Sequence, residues 1–502
     1  MASDTTQAEH VIHHVDPRDH VATALRDLVS GETVSIDGQS ITVRADIPKG
    51  HKIAVRDAAV GEDVCKYGWP IGRATHAIAV GDHVHVHNVE TKLSDVETYT
   101  YEPSVDAIGH DLAAGTFMGY RRKNGRVGTR NEIWVLCTVG CVANTARRIA
   151  EKAAVRFAGR IDGVHAFPHP FGCSQLGGDL DHTRKLIASL AAHPNAGGVL
   201  ILGLGCENNQ LSKLLETAPD IDRDRLRYFT TQNVADEQED GLAAVEELVA
   251  LVEKDQREPC PVSDLVVGLK CGGSDGFSGV TANPLVGRIA DKVADAGGTP
   301  VLTEIPEVFG AERILMARAA NQGVFQDLVS VVNDFKQYFI DNHQPIYENP
   351  SPGNIAGGIT TLEEKSLGAV QKGGRAQVVN VIRYGEKIGP HGLTVLEAPG
   401  NDAVSSTALT AAGATVILFT TGRGTPLGFP APTLKIASNS GLAGRKPGWI
   451  DFDAGVVLEE KSMDEAADDL MALVVETASG KATKAEINGE REIAIWKQGV
   501  TL

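Results

Sequence analysis

The sequence lacks several features, and each absence excludes a class of protein. No apolar run reaches the roughly 18 residues needed to span a membrane. The polar N-terminus, MASDTTQAEHVIHH, has no signal-peptide core. The seven cysteines are odd in number and scattered through 502 residues, which does not fit a disulfide framework. We therefore expect a cytoplasmic protein whose thiols are reduced.

The sequence is also short of positive charge. Its formal net charge is −18, which argues against nucleic acid or an anionic membrane as the main partner. A small anionic substrate is compatible with this charge if a local basic patch binds it. Neither a Walker loop nor a GxGxxG fingerprint is present, so nucleotide binding has little support.

What is present indicates a soluble globular protein of several domains. Hydrophobic residues make up 42% and charged residues 22% of the chain, which are ordinary values for such a protein. The length is enough for roughly two to four domains. The first 92 residues have the pattern of a small β-rich unit, because two alternating stretches, TVSI and ITVR, flank the hairpin dipeptide Asp37-Gly38. Residues 21–28 are predicted to form a short amphipathic helix.

Three histidines recur at alternate positions near the end of this unit. The stretch HVHVH at 83–87 is a predicted strand, which places the imidazoles of His83, His85 and His87 on one face. Such a strand is either a solvated edge with its valines inward or a ligand set for a divalent metal.

A polar segment and then a basic segment follow. Residues 93–115 are predicted to form a linker because the heart of this stretch is polar and without periodicity. The next segment, YRRKNGRVGTRN, carries five cations in twelve residues, among them Arg121 and Arg130. It is either a solvated surface loop or a loop that binds a carboxylate.

From residue 116 the chain repeats a strand, a turn bearing glycine or cysteine, and a helix. This alternation predicts an α/β fold with Rossmann-like parallel sheets, in which ligand groups gather at the carboxyl ends of strands. The proline-rich stretch NPSPGN at 349–354 separates two such series. We therefore expect a first α/β part at 116–345 and a C-terminal α/β part at 346–502.

The stretch CGGSDGFSGVTANP at 271–284 joins a predicted buried strand to a predicted helix. Gly272 and Gly273 leave backbone N–H groups bare at this turn, where oxyanions bind well. Ser274 and Asp275 add a hydroxyl and a carboxylate. The alternative is that the serine and aspartate only cap the following helix.

Further groups of chemical interest follow other predicted strands. The cysteines Cys141, Cys173, Cys206 and Cys271 could approach one another at converging strand ends and hold an iron ion or an iron–sulfur cluster. Each is alternatively a small buried hydrophobe. His169 stands between two prolines in a turn. Carboxylates at the same predicted edge are Glu207, Asp275, Glu304 and Glu307.

Long motifs in the sequence together resemble the altronate/galactarate dehydratase family. They include GYRRKNGRVGTRNE, HPFGCSQLGGD, GLGCENNQ, CGGSDGFSGVTANPLVGR, TEIPEVFGAE, QPIYENPSPGNIAGGITTLEEKSLG, APGNDAV and TTGRGTP. The N-terminal motifs HKIAVRD, KYGWPIGRA and GDHVHVHNV are similar to the small SAF (β-clip) domain of that family. The resemblance extends through the whole chain and implies an SAF domain at 1–92.

Within the family, the HVHVHN strand and the GLGCENNQ turn are similar to the altronate branch. The resemblance implies removal of water from D-altronate, giving 2-dehydro-3-deoxy-D-gluconate in hexuronate breakdown. It also implies iron(II) as cofactor, with manganese as an alternative; the strand-end cysteines leave an iron–sulfur cluster open as well. Other readings are a galactarate dehydratase, a sulfolactate lyase, or a sugar-acid-binding protein without activity. A homo-oligomer is compatible with all of them.

The reaction needs a base for the C2 proton, an acid for the departing C3 hydroxyl and a cation for the carboxylate. We expect His169 or Lys52 as the base and Tyr67 or His51 as the acid. Candidates for contact with the sugar acid are Arg121, Arg130, Gly272, Gly273, Ser274, Asp275 and Arg423.

The metal has two candidate sites in the sequence. We expect it at Cys141, Cys173 and Cys271, with Cys206 in reserve. The alternative ligand set is His83, His85 and His87.

Overall fold

A computed structural model describes residues 11–36, 38–104 and 115–502 of the chain. Asp37 of the predicted hairpin turn and residues 105–114 of the predicted linker lie outside the described residues.

The N-terminal unit is built from short antiparallel strands. A four-stranded sheet has the order β1-β2-β5-β8, a three-stranded sheet has the order β6-β7-β9, and β3 and β4 form the predicted hairpin pair. The strands are β1 (Ile12–His13), β2 (Val21–Ala24), β3 (Thr33–Ile36), β4 (Gln39–Thr42), β5 (Lys52–Ala54), β6 (Asp63–Lys66), β7 (Trp69–Ala74), β8 (His83–Val84) and β9 (Val89–Glu90).

Two local predictions for this unit are wrong. Residues 21–28 do not form a helix: β2 runs through the first four of them, and all four are buried between β1 and β5. Strand pairing on both sides therefore overrides the apolar spacing that indicated a helix. The histidine strand is also shorter than predicted, because β8 ends at Val84 and the Asn88 side chain holds a turn through hydrogen bonds with the His85 N–H and the His83 carbonyl.

The middle unit carries a four-stranded parallel sheet of order β13-β12-β14-β15. A smaller antiparallel sheet of order β11-β10-β16 lies beside it. The elements are β10 (Thr116–Arg121), β11 (Val127–Gly128), β12 (Glu132–Cys137), α1 (Ala143–Arg156), β13 (Gly163–Phe167), α2 (Gly177–Ala191), β14 (Ala196–Gly203), α3 (Leu211–Thr217), β15 (Leu226–Thr230), α4 (Glu237–Val252) and β16 (Glu258–Pro261).

The C-terminal unit contains a seven-stranded parallel sheet of order β19-β20-β18-β17-β21-β22-β23. The elements are β17 (Val266–Cys271), α5 (Ala282–Asp295), β18 (Thr299–Leu302), α6 (Glu312–Met316), α7 (Gln322–Asp341), α8 (Pro352–Ala356), α9 (Leu362–Ala369), β19 (Val378–Ile382), β20 (Leu393–Leu396), α10 (Asp402–Ala412), β21 (Val416–Thr421), β22 (Thr433–Ala437), α11 (Ser440–Arg445), β23 (Phe452–Asp453), α12 (Met463–Ala478) and α13 (Lys484–Ile487). No helix among the described residues combines the length and the apolarity needed to cross a membrane.

The predicted mixed α/β architecture with parallel sheets is confirmed, but the predicted boundary between 345 and 346 is wrong. Strands β17 and β18 precede that boundary and β19 to β23 follow it, yet all seven belong to one sheet. The proline-rich stretch that suggested a boundary instead forms the region around α8, beside this sheet.

The centre of the seven-stranded sheet is a topological switch point. From β17 the chain moves to β18 on one side, and only later returns to β21 on the other side. In open α/β sheets ligands bind at the carboxyl edge where the strand order reverses in this way. The turn that starts at Cys271 leaves the sheet at this point.

Helix α9 attaches the N-terminal unit to the C-terminal unit through a buried ionic group. Glu364 on α9 is 2.9 Å from the Nζ atom of Lys52 on β5 and 2.9 Å from that of Lys66 on β6. All three side chains are at most 2% exposed. The Thr361 hydroxyl, which caps α9, also donates to the Ile71 carbonyl of β7.

Replacing this buried carboxylate is expected to destabilise the protein. Glu364→Gln leaves two buried ammonium groups without a full counter-charge, a kind of change that costs about 3–5 kcal/mol. Chemical or thermal unfolding of the purified chain measures the effect.

A matched control is Asp63→Asn, which removes an ion pair with Lys92 in which both side chains are 43% exposed. Exposed pairs contribute at most about 1 kcal/mol, so this variant should unfold near the wild-type midpoint. Equal midpoints for the two variants would contradict the role given to Glu364.

Candidate active site

The turn after β17 lies directly against the N-terminal unit. A Cβ atom at Gly276 would be 1.9 Å from the Gly50 carbonyl oxygen, and one at Gly358 would be 2.3 Å from the same atom. Only glycine permits such an approach of backbone to backbone. The switch point of the seven-stranded sheet is therefore covered by residues 50–52 of the N-terminal unit.

The predicted anion cradle at Gly272 and Gly273 is only partly available. The Gly272 N–H donates to the Thr420 carbonyl at 3.0 Å, so it is not bare. The Gly273 carbonyl accepts hydrogen bonds from the N–H groups of Gly422 and Arg423. Arg423 itself is exposed, and its backbone bond keeps it at this edge of the sheet.

Asp275 organises this turn. Its carboxylate accepts hydrogen bonds from the N–H groups of Phe277 and Ser278, from the hydroxyls of Ser278 and Ser438, and from the Asn439 amide. These bonds occupy both carboxylate oxygens, which argues against its predicted role on substrate hydroxyls. The alternative expectation, that Asp275 caps the following helix, is wrong as well, because the N-cap residue of α5 is Thr281 and no side chain caps that helix. Ser274, by contrast, uses its carbonyl to accept from the Asn354 amide at 2.8 Å.

Four imidazoles gather where β5 and β8 face this turn. His51 Nδ1 lies 3.1 Å from His83 Nε2, and the His83 ring centroid is 5.6 Å from that of His85 and 5.3 Å from that of His87. The His85 Nδ1 atom is bonded to the Thr360 hydroxyl. Burial lowers the pKa of His83 to about 4 and that of His85 to about 3. Both rings are therefore neutral near pH 7, the form that ligates metals.

Lys52 directly follows His51 of this group, and Tyr67 lies beside Lys66, whose Nζ atom is 4.9 Å from the centre of the Tyr67 ring. Lys52 donates to Glu364 and, at 2.7 Å, to the Gly358 carbonyl. Burial lowers the pKa of Lys52 to about 8, although Glu364 opposes this shift. Burial raises the pKa of the Tyr67 phenol, whose oxygen lies against Gly279.

A buried ionic network lies at the carboxyl ends of β17 and β18. Glu304 contacts Lys270 and lies 3.0 Å from Lys372, and Glu307 lies 2.8 Å from Lys365. The Cys271 thiol is within 3.4 Å of both carboxylates and 2.7 Å from the Lys372 ammonium. Cys271, Glu304 and Glu307 have ligand atoms within 4.8 Å of one another. The lysines already balance both carboxylates, however, so this group does not need a cation.

The predicted metal set of Cys141, Cys173 and Cys271 is not one site. Cys271 is buried and belongs to the seven-stranded sheet, whereas Cys141 and Cys173 are exposed on turns of the four-stranded sheet. Both sheets are parallel and have cysteines at their strand ends, which the sequence alone does not distinguish.

His169 has a structural environment. Its Nε2 atom bonds the Cys137 carbonyl at 2.9 Å, and its Nδ1 atom accepts from the Phe171 N–H. His169 stands in the turn after β13 of the four-stranded sheet and not at the switch point of the seven-stranded sheet, which argues against its predicted role as the base.

Arg121 and Arg130 lie away from the switch point. Arg121 pairs with Glu258 and Asp264 and lines a cavity of about 850 Å³ that opens near the start of β14 and β15. Arg130 is buried, pairs with Glu486 and precedes β12. Ligand groups of parallel sheets gather at the opposite, carboxyl ends of the strands. The positions and ion pairs of these two arginines argue against the prediction that they contact the substrate.

Comparison with known proteins follows the same division of the chain. Residues 10–92 match the altronate/galactarate dehydratase SAF domain. Residues 119–253 match the second domain of D-galactarate dehydratase/altronate hydrolase, and residues 262–501 match the C-terminal domain of D-galactarate/altronate dehydratase. The altronate dehydratase of Escherichia coli is 52% identical over 96% of this chain and 98% of its own length. The chain belongs to the altronate/galactarate dehydratase family.

Two further relatives place it within that family. The altronate dehydratase of Bacillus subtilis is 49% identical over 97% of this chain and 99% of its own length. The galactarate dehydratase (L-threo-forming) of Escherichia coli is 34% identical over 87% of this chain and 86% of its own length. Similarity to the two altronate dehydratases is therefore higher and more complete.

Several residues of the site were missed by sequence reasoning. Glu364, Lys66 and Lys372 are fully buried charges whose partners are distant in sequence. One signal was available for Lys270, because a lysine inside the apolar run VVGLKC must be paired if the strand is buried. No comparable local signal marks Glu364.

Because Asp275 holds the turn, replacing it should lower the stability of the protein even when no substrate is bound. Asp275→Asn would turn an amide N–H₂ toward the hydroxyl and amide donors that now bond the carboxylate. We expect a lower unfolding free energy by about 1–3 kcal/mol, measured by denaturant titration. Asp468→Asn, at a position whose side chain is 73% exposed, is the control and should be neutral. An unchanged midpoint for Asp275→Asn would contradict this role.

Proposed function

We propose that this chain is a hydro-lyase that removes water from D-altronate to give 2-dehydro-3-deoxy-D-gluconate. The observation that carries the proposal is the 52% identity to an altronate dehydratase along 98% of that enzyme's length. The polar junction at the switch point supports it, because neutral imidazoles, a lysine of lowered pKa and an exposed arginine lie at one edge of the sheet.

The reaction requires a positive group beside the substrate carboxylate, to stabilise the negative charge that develops there. The C2 proton is α to that carboxylate, so its removal builds a second negative charge on an anionic group. We propose that the exposed Arg423 guanidinium binds the carboxylate, since Arg423 is attached to the turn through Gly273. Arg121, by contrast, is paired with two carboxylates elsewhere.

We propose that a divalent metal binds at the histidine group and not at Cys271, Glu304 and Glu307, because lysines already balance both of those carboxylates. Two nitrogens bound to one ion at a right angle, each at about 2.1 Å, lie about 3.0 Å apart. His51 Nδ1 and His83 Nε2 are 3.1 Å apart, and the His85 and His87 rings lie beside them. We therefore propose that these residues hold iron(II), or manganese, and that the hydroxy acid supplies further oxygen ligands. When bound, such an ion would offset the charge that develops on the carboxylate.

Lys52 is the base that we propose for the C2 proton. Its pKa of about 8 is close to the range in which general bases work well, and it neighbours His51 on the strand. Tyr67 remains the proposed acid for the departing hydroxyl, because its raised pKa keeps the phenol protonated.

The order of the seven-stranded sheet also supports the finer description of the fold. Its strands are all parallel and its order reverses at β17, so we propose that the sheet is Rossmann-like.

A keto-acid assay tests the reaction and its substrate together. The purified chain, supplied anaerobically with iron(II), should form a 2-keto-3-deoxy acid from D-altronate faster than from galactarate or sulfolactate. Preference for galactarate would assign it to the other branch of the family. No product from any of the three would contradict the proposed activity.

The role of Lys52 predicts a specific pH profile. Because the deprotonated amine is the base, kcat/KM should rise with pH and level off above about 8. Lys52→Gln should lower kcat by a factor on the order of 10²–10⁴ and abolish this limb.

Lys66→Gln is the matched control, because Lys66 is equally buried and binds the same Glu364 carboxylate. It should lose comparable stability yet keep the rising limb in the fraction that stays folded. The same loss of activity and of the limb in both variants would contradict a base at Lys52.

The proposed metal site predicts which histidines retain iron. Anaerobically prepared His83→Ala should bind iron(II) at least tenfold more weakly than the wild type in equilibrium dialysis, because one of two close nitrogens is lost. His76→Ala, at an exposed position of the same unit, should bind as the wild type does. Wild-type affinity in His83→Ala would refute the histidine site.

A further inference from the structure

Three Gly-Cys pairs stand at the carboxyl ends of three neighbouring strands in the middle unit. Gly140-Cys141 follows β12, Gly172-Cys173 follows β13, and Gly205-Cys206 follows β14. These strands are adjacent in the order β13-β12-β14. All three thiols are exposed, whereas Cys137, Cys260 and Cys271 are buried. The repetition is thus one of position in the sheet as well as of sequence.

Hydrogen bonds tie the three turns to one another in pairs. The Gly140 N–H donates to the Phe171 carbonyl at 2.8 Å, which joins the turns after β12 and β13. The Asn209 N–H donates to the Gly172 carbonyl at 2.9 Å, which joins those after β13 and β14. The Asn209 amide donates to the Thr138 carbonyl at 3.1 Å and closes the third pair. The cysteines are therefore carried by one connected surface.

The backbone beside the cysteines is constrained in ways that a simple surface turn does not require. A Cβ atom at Gly172, whose φ is +100°, would lie 2.0 Å from the Thr138 carbonyl oxygen. Ser174, directly after Cys173, adopts a φ of +58°, which is uncommon for serine. Strained residues of this kind cluster at functional sites.

Two buried polar atoms beneath these turns have no hydrogen-bond partner among the described residues. They are Gln175 Nε2 and Asn209 Oδ1, in side chains that are 2% and 0% exposed. The Gln175 amide is a donor two residues from Cys173, and hydrogen bonds to sulfur are a regular feature of clusters bound by cysteine. Buried polar groups are normally hydrogen-bonded, so these two atoms are available to a group bound at the turns.

The three sulfurs do not all lie close enough together to bind one ion. Thiolates around one tetrahedral ion, at about 2.3 Å each, lie about 3.8 Å apart. Among the described residues, the sulfur atoms of these three cysteines do not form a group in which all ligand atoms lie within 4.8 Å of one another. A cluster of several iron and sulfide ions spans a wider set of thiolates and is held by cysteines.

We propose that Cys141, Cys173 and Cys206 bind a [4Fe–4S] cluster through three thiolates, with one iron left without a cysteine ligand. This site is separate from the histidine group and from Cys271. The proposal does not rest on the dehydratase reaction, since it concerns the content of the protein and not its turnover.

Anaerobic reconstitution of the full-length chain tests it. The protein is incubated with ferric iron, sulfide and a thiol, which reduces part of the iron, and is then desalted. We expect broad visible absorption and roughly four acid-labile sulfides per chain. Iron held by histidines brings no sulfide, so the sulfide count separates the two sites. Iodoacetamide should label Cys141, Cys173 and Cys206 in the cluster-free protein and not in the reconstituted protein.

The variants Cys141→Ser, Cys173→Ser and Cys206→Ser should each lose most of the sulfide and the absorption. Circular dichroism should show that they stay folded, because the three side chains are exposed. Cys65→Ser, in the N-terminal unit, is the matched control and should reconstitute as the wild type does. The proposal would be overturned if the reconstituted wild-type protein contained no acid-labile sulfide. It would also be overturned if the double variant Cys141→Ser/Cys206→Ser kept its sulfide.

Discussion

The buried carboxylate of Glu364 is the interaction on which the candidate site depends. Lys52 and Lys66 of the N-terminal unit lose their hydration when they pair with this carboxylate. The attraction between the charges offsets that desolvation cost only when the geometry of the pairs is good, as it is here. Even a small displacement of the N-terminal unit relative to α9 would weaken these ion pairs. Because His51 is the neighbour of Lys52, the same contact sets the histidines against the glycine turn of the large sheet.

The large sheet contributes a preorganised surface to this junction. Asp275 holds the turn through five hydrogen bonds, and Lys365 links Glu307 to Asn354, which in turn bonds Ser274. Residues locked in this way keep catalytic groups in place without reorganisation during the reaction. The proposed division of labour follows: the small unit brings imidazole and amine groups, and the large unit brings the turn and Arg423.

Local sequence patterns predicted those features that depend on neighbouring residues. The apolar run before Cys271 and the glycines after it predicted a buried strand and a turn at a sheet edge, as observed. The Lys52–Glu364 pair joins residues 312 positions apart, so no local pattern reveals it. A cation-rich stretch likewise looks the same whether its arginines meet a substrate or, as for Arg130, a buried glutamate. Strand-end cysteines in two separate sheets could not be assigned to one site for the same reason.

The central claim is that the sugar acid binds between the N-terminal unit and the turn at 271–279. A crystal structure of the full-length chain with a 3-deoxy sugar acid, which cannot lose the C3 hydroxyl, tests it most directly. We expect electron density for the ligand between His51 and Ser274, with its carboxylate toward Arg423. Density instead in the cavity lined by Arg121 and Arg122, near the start of β14 and β15 in the middle unit, would contradict it.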